Sequence, residues 1–126
     1  MKKFEKARPL WLVAGYVGWA LIAMLSLVPA ESRPHTPVGG AYEHVLTYAA
    51  VGFCFGVGYL SMRRRILACS AVTVSAMILE FLQSFIPGRN SEIIGFIAST
   101  IGAWSGLALA SAMIFILARA MPTGRP

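Results

Sequence analysis

Residues 63–89, RRRILACSAVTVSAMILEFLQSFIPGR, decide how this chain is built. Between the three arginines and Pro87-Gly88 runs an almost unbroken apolar stretch, residues 66–86. An α-helix needs about 20 such residues to cross the hydrocarbon layer of a bilayer. A strand of that length and evenness would be unusual in a soluble core, and lipid tolerates no open sheet edge, so the stretch predicts a transmembrane helix.

The same reading extends outward in both directions. Residues 43–62 form a second apolar run, joined to the first by Arg63, Arg64 and Arg65 as a short basic turn. Residues 9–28, carrying Trp11, Tyr16 and Trp19, make a third, and residues 93–118 a fourth. Pro29, Pro34, Pro37, Gly39 and Gly40 punctuate one long connection, and Pro87 and Gly88 another. Composition agrees: of 126 residues 57% are hydrophobic and only 13% charged, with no Asp and five Glu. A soluble globular chain carries about 25% charged residues. One domain, residues 1–126, uses the whole length.

The net charge of +6 would suit a nucleic-acid partner, but its distribution argues against one. The basic residues stand in short clusters between apolar runs. Lys2, Lys3, Lys6 and Arg8, then Arg63 to Arg65, then Arg119 and Arg125 put nine of the eleven on one side. Only Arg33 and Arg89 fall on the other. Basic loops stay cytoplasmic. The expected architecture is all-α: an integral membrane bundle of four transmembrane helices in a bacterial inner membrane, both termini cytoplasmic, with the loops at 29–42 and 87–92 outside. A rival reading takes the basic start and the Val-Pro-Ala ending at Ala30 as a cleavable signal peptide. Its apolar run of nearly 20 residues is long for that role. Cys54 and Cys69 lie inside apolar runs, match no metal or disulfide spacing, and read as small apolar fillers.

Small residues recur at helix-contact spacing. Gly52 and Gly56 make one pair, Gly102, Gly106 and Ala110 a longer stripe, and Ala14 and Gly18 a weaker one. In lipid such positions let helix backbones approach. A compact bundle follows, with its oligomeric state left open.

Against this apolar background the polar residues stand out. Glu80 lies seven residues before Pro87, about 10 Å below the helix end. A bare carboxylate there costs on the order of a few kcal/mol, so it should be protonated, paired or turned to a wet cavity. Gln83 shares its face at i+3, and Thr73 and Ala76 continue that stripe inward. His44 and Tyr48 form an i,i+4 pair at the matching depth of the second helix, with Glu43 alongside and Arg89 in the loop above. His44, Tyr48, Glu80, Gln83 and Arg89 are therefore the candidate outward-facing pocket; the alternative is that they are interhelical hydrogen-bonding groups. His35, in the outer loop, reads as a solvated side chain.

These residues carry a resemblance. Glu80-x-x-Gln83, Pro87-Gly88-Arg89, Gly102-xxx-Gly106 and, about 30 residues upstream, His44-xxx-Tyr48 are similar to the pattern of the VanZ-like membrane proteins, over residues 25 to 107. The family's Asp-Lys pair before the His is replaced by Gly40 and Ala41, and its later Asp and Asn by Gly95 and Ser99. Glu43 and Glu92 carry carboxylates nearby in other helical registers. The resemblance implies a small envelope protein linked to glycopeptide-type antibiotic tolerance, with no established chemistry.

Three function classes follow. The favoured one is a non-enzymatic protein that binds an amphiphile or lipid head group at the outer leaflet. A membrane enzyme acting on a lipid-linked substrate, with His44 as base and Glu80 as acid, is the second; the sequence shows neither a nucleophile beside His44 nor an HExxH motif. A small proton-coupled transporter is the third, although transporters of this size carry their membrane carboxylate in the first helix. No cofactor motif and no metal-ligand set is present.

Overall fold

A computed structural model of the protein describes residues 2–32 and 39–120. Arg33, Pro34, His35, Pro37 and Arg125 lie outside the described residues. Four α-helices follow in chain order: α1 Lys2–Ser26, α2 Gly40–Gly58, α3 Met62–Gln83 and α4 Ile93–Ala120, with one 3-10 turn, Ala30–Ser32, after α1. There is no strand among the described residues. Three of the four helices, α1, α3 and α4, are long and apolar enough to cross a membrane. At 19 residues α2 is about 28 Å long. Its Glu43, His44 and Tyr48 lower its mean hydropathy, and it is tucked among the other three.

The helices alternate in direction. Leu12, Gly15 and Gly18 of α1 meet Gly58, Phe55 and Val51 of α2, so that pair is antiparallel. Gly52 and Gly56 of α2 meet Ala103 and Ala110 of α4, while Gly102 and Gly106 of α4 meet Val45 and Ala49 of α2. Both sets of numbers rise together, so α2 and α4 are parallel and share the largest interface. At each of Gly52, Gly102 and Gly106 an added Cβ would strike a backbone carbonyl oxygen of the facing helix. Only hydrogen fits there. Backbones this close gain dispersion and Cα–H···O contacts, which stand in for the hydrophobic drive that lipid does not supply.

On α1 the contact runs through Gly15 and Gly18 rather than the expected Ala14 and Gly18. Gly15 lies beneath the Phe55 ring, and Ala14 is exposed. Phe55 is also stacked edge-on by Tyr16 and Trp19, with ring centroids 5.0 and 6.2 Å away. Two tryptophans tie helices through relays. Trp19 Nε1 donates to Ser75 Oγ at 2.8 Å, which donates to the Val72 carbonyl. Trp104 Nε1 donates to Thr73 Oγ1 at 3.1 Å, which donates to the Cys69 carbonyl.

The interior is rich in small and polar side chains, while the outside is greasy. Ala76, Ala98, Ser99, Ala103 and Ala110 are buried, and Leu10, Phe81, Phe85, Ile93, Leu109 and Ile116 are exposed. Water would not tolerate such a surface; hydrocarbon does.

Several helix boundaries differ from the sequence reading, α2 among them at Gly40–Gly58 rather than 43–62. The arginine triplet is not the turn between the second and third spans. The turn is residues 59–61, and Arg63 to Arg65 form the first helical turn of α3. Ser61 is the reason: its Oγ accepts from the Arg64 N–H at 3.3 Å as a helix N-cap. At the other end α3 stops at Gln83, and residues 84–86 tighten into turns whose N–H groups reach back three residues. Helix α1 also begins earlier, running through Pro9 from Lys2.

Candidate functional site

One end of the bundle gathers the C-termini of α1 and α3 and the N-termini of α2 and α4. Here lie His44, Tyr48, Glu80, Gln83 and Arg89. They do not form a single pocket. They divide into a buried network, an acidic-amide pair and a clasp.

Ser99 is the hub of the network. It is 1% exposed on α4. Its hydroxyl donates to the Gly95 carbonyl at 2.8 Å. His44 Nδ1 stands 3.1 Å from the same oxygen, and the Tyr48 side chain lies beside it. A hydroxyl has one proton and two lone pairs. With the proton on a carbonyl that can only accept, His44 Nδ1 is the donor. Neutral His44 is therefore the Nδ1–H tautomer, stacked on Tyr48 at 6.1 Å. Tyr48 itself is 1% exposed. This pairing supplies His44 with a serine neighbour that sequence spacing alone did not indicate. Its geometry is wrong for a nucleophile: the oxygen is sealed between two helices and its proton is directed away from the imidazole.

Glu80 and Gln83 occupy the buried stripe of α3, with Ala76 and Leu79. The Glu80 carboxylate rests directly on the Cα of Gly95 and accepts the backbone N–H of Glu92. Any side chain at position 95 would displace it. The Glu92 side chain is exposed, so its contribution to the site is its main chain. Gln83 is 4% exposed, and its amide atoms are not among the sealed side-chain atoms left without a hydrogen-bond partner.

Arg89 is the clasp. Its Nη2 donates to the carbonyls of Leu25 at 2.7 Å and Ser26 at 2.9 Å, and its Nε to that of Val28 at 3.2 Å. Helix α1 has no basic residue of its own in its last turn. An arginine from the distant α3–α4 loop supplies the charge and donors that those orphan carbonyls need. Arg89 also lies within electrostatic range of Glu80, as Glu80 does of Tyr48, so the three parts sense one another.

Gly40 and Ala41 are exposed at the start of α2. Gly52, Gly56, Gly102 and Gly106 all lie in the α2–α4 contact. Among the described residues no three His, Cys, Asp or Glu side chains are grouped to hold a metal ion. The sequence reading missed Ser99 and Gly95 as site residues, although they carry a signal. They extend the stripe of Gly102, Gly106 and Ala110 back by two turns, which marks that whole face of α4 as a contact surface.

No family model, curated protein or solved structure matches this chain.

Proposed function

We propose that the chain is a four-span protein of a bacterial inner membrane, both termini cytoplasmic, that binds the polar head of an amphiphile at the outer leaflet through Glu80 and Gln83. The observation that carries this reading is the placing of the Glu80 carboxyl and the Gln83 amide one helical turn apart on the inward stripe of α3. Two adjacent polar groups at membrane depth suit a ligand that brings hydroxyl or amide donors and acceptors. Helix α3 also forms one wall of a groove of about 370 Å³ against α1, lined by Tyr16, Trp19, Ala20, Ala23, Ser75, Ile78 and Leu79. Leu79 faces the groove and the next residue, Glu80, the polar site, so head and tail of an amphiphile have places on one helix.

Membership of the VanZ-like family, and with it a part in envelope tolerance to glycopeptide-type antibiotics, belongs to the same proposal. It rests on the Glu80-x-x-Gln83 and Pro87-Gly88-Arg89 motifs. Within that set the proposed roles differ. Glu80 and Gln83 contact the ligand, Arg89 anchors α1 beside it, and His44 and Tyr48 build the wall through Ser99.

The test compares a deletion strain complemented with wild type, Glu80→Gln or Gln83→Leu at matched membrane abundance, grown against lipoglycopeptides. Protection by wild type that Gln83→Leu abolishes, while the variant protein is at least as heat-stable in detergent, supports a ligand at this amide. Equal protection by all three removes the proposal.

A further inference from the structure

Between α1 and α3 the bundle is not closed. The two helices run in the same direction, tied midway by the hydrogen bond from Trp19 to Ser75 and at one end by the Arg89 clasp. The groove of about 370 Å³ follows this seam. From Tyr16 to Ala23 it runs along α1 for two turns, about 10 Å. The gap exists because α1 turns Ala20 and Ala23 towards α3, while its Leu21 and Met24 are exposed. The polar groups of the lining are already engaged. Ser75 Oγ accepts from Trp19 Nε1 at 2.8 Å and donates to the Val72 carbonyl at 2.7 Å. The Tyr16 hydroxyl is paired with that of Tyr59 at 2.5 Å. An ordered water needs about two to four polar partners, and this lining does not offer them. An empty gap would forfeit the dispersion contacts of its walls. Hydrocarbon is the occupant that fits.

Helix α3 sets the register of that occupant. Ser75, Leu79 and Gln83 follow one another at four-residue intervals and so form one stripe. Ser75 and Leu79 line the groove, and Gln83 stands one turn further on, as the last residue of the helix. A chain lying along Ser75 and Leu79 therefore brings the group that joins it to its head beside the Gln83 amide. An ester carbonyl at that point accepts from the amide NH2.

We infer that the α1–α3 groove seats one hydrocarbon chain of a membrane phospholipid. The phospholipid is then the amphiphile of the Glu80–Gln83 site, an assignment that rests on the proposed role of that site in holding a polar head.

The experiment uses the full chain in nanodiscs of phosphatidylethanolamine and phosphatidylglycerol, and native mass spectrometry counts the lipids retained on the released protein. Wild type is compared with Ala23→Phe, which fills the groove, and with Ala20→Phe in case the first variant folds poorly. Ala112→Phe, on the exposed face of α4, is the control for general lipid contact. A second readout needs no release. With Trp11→Phe and Trp104→Phe, Trp19 is the only tryptophan, and phosphatidylcholine brominated along its chains quenches it by contact. Wild type and Ala112→Phe should keep a bound phospholipid that Ala23→Phe and Ala20→Phe lose, and the two groove variants should shield Trp19 from bromine. Gln83→Leu separates the chain from the head. Loss of the lipid in Gln83→Leu as well supports one ligand with its chain in the groove and its ester on the amide. Retention in Gln83→Leu, with loss in the groove variants, supports the chain site and refutes the head-group role of Gln83. If the groove variants keep as much lipid as wild type with Trp19 quenched as strongly, the inference is overturned. The same holds if Ala112→Phe loses as much lipid as they do.

Discussion

At the scale of single residues, Ser99 and Arg89 matter more than their chemistry suggests in isolation. Ser99→Ala deletes the acceptor of His44 Nδ1 and breaks that link between α2 and α4. The expected cost is about 1–3 kcal/mol, read as a fall in unfolding midpoint in detergent. Arg89→Gln should loosen the end of α1 and not the α2–α4 core, so that proteolysis after Ser26 speeds up while the remaining fragment stays folded. A uniform loss of stability across the bundle would contradict the clasp. Neither role could be seen in the sequence, because the partners of Arg89 are backbone carbonyls, which every residue carries. Glu80 and Gln83 were legible for the opposite reason: in an apolar helix a charged or amide side chain is conspicuous by itself.

Among the elements, the parallel α2–α4 pair organises the fold, and its glycines separate into those that must be glycine and those that need not be. Gly52→Ala and Gly106→Ala place a methyl group against a carbonyl oxygen of the facing helix. Each should push the helices apart and cost about 1–3 kcal/mol, as overpacking does. Gly40 has nothing within 4 Å of an added Cβ, so Gly40→Ala should be neutral or raise stability by a few tenths of a kcal/mol to about 1 kcal/mol. Equal losses at positions 40 and 106 would show that helix propensity, not close approach, governs. The GxxxG spacing of both helices is visible in the sequence, because the contact repeats with the helical turn. That α2 and α4 run parallel and face each other is not, since neighbouring spans in the chain are the simpler assumption. The Ser61 cap was also readable, but three consecutive arginines suggest a loop more loudly than a single serine suggests a helix start.

Seen whole, the molecule has an apolar exterior, a small-residue interior and polar groups at both ends. The proposed topology puts Asn90 and Arg63 on opposite sides of a membrane, and both are exposed. In intact cells a membrane-impermeant maleimide should label Asn90→Cys, and should label Arg63→Cys only after permeabilisation. The native Cys69 is buried and Cys54 partly so, and a double Cys→Ala background removes them from the comparison. Labelling in the reverse order would invert the topology and move the Glu80–Gln83 site to the cytoplasmic leaflet.

The enclosed position of α2 also bears on how the chain is made. It is the one described helix that is not long and apolar enough by itself to count as a membrane span, and its main partner, α4, is synthesised last. An emerging α2 meets the bilayer before the surface that accommodates Glu43, His44 and Tyr48 exists, so its lateral release should wait for α4. Ribosome-bound chains truncated just after α3 should therefore hold α2 incompletely inserted, exposed to a glycosylation acceptor assay, and become fully inserted once α4 has been translated. Biogenesis would then proceed from the flanks inward, with the centre of the bundle completed at the end of translation.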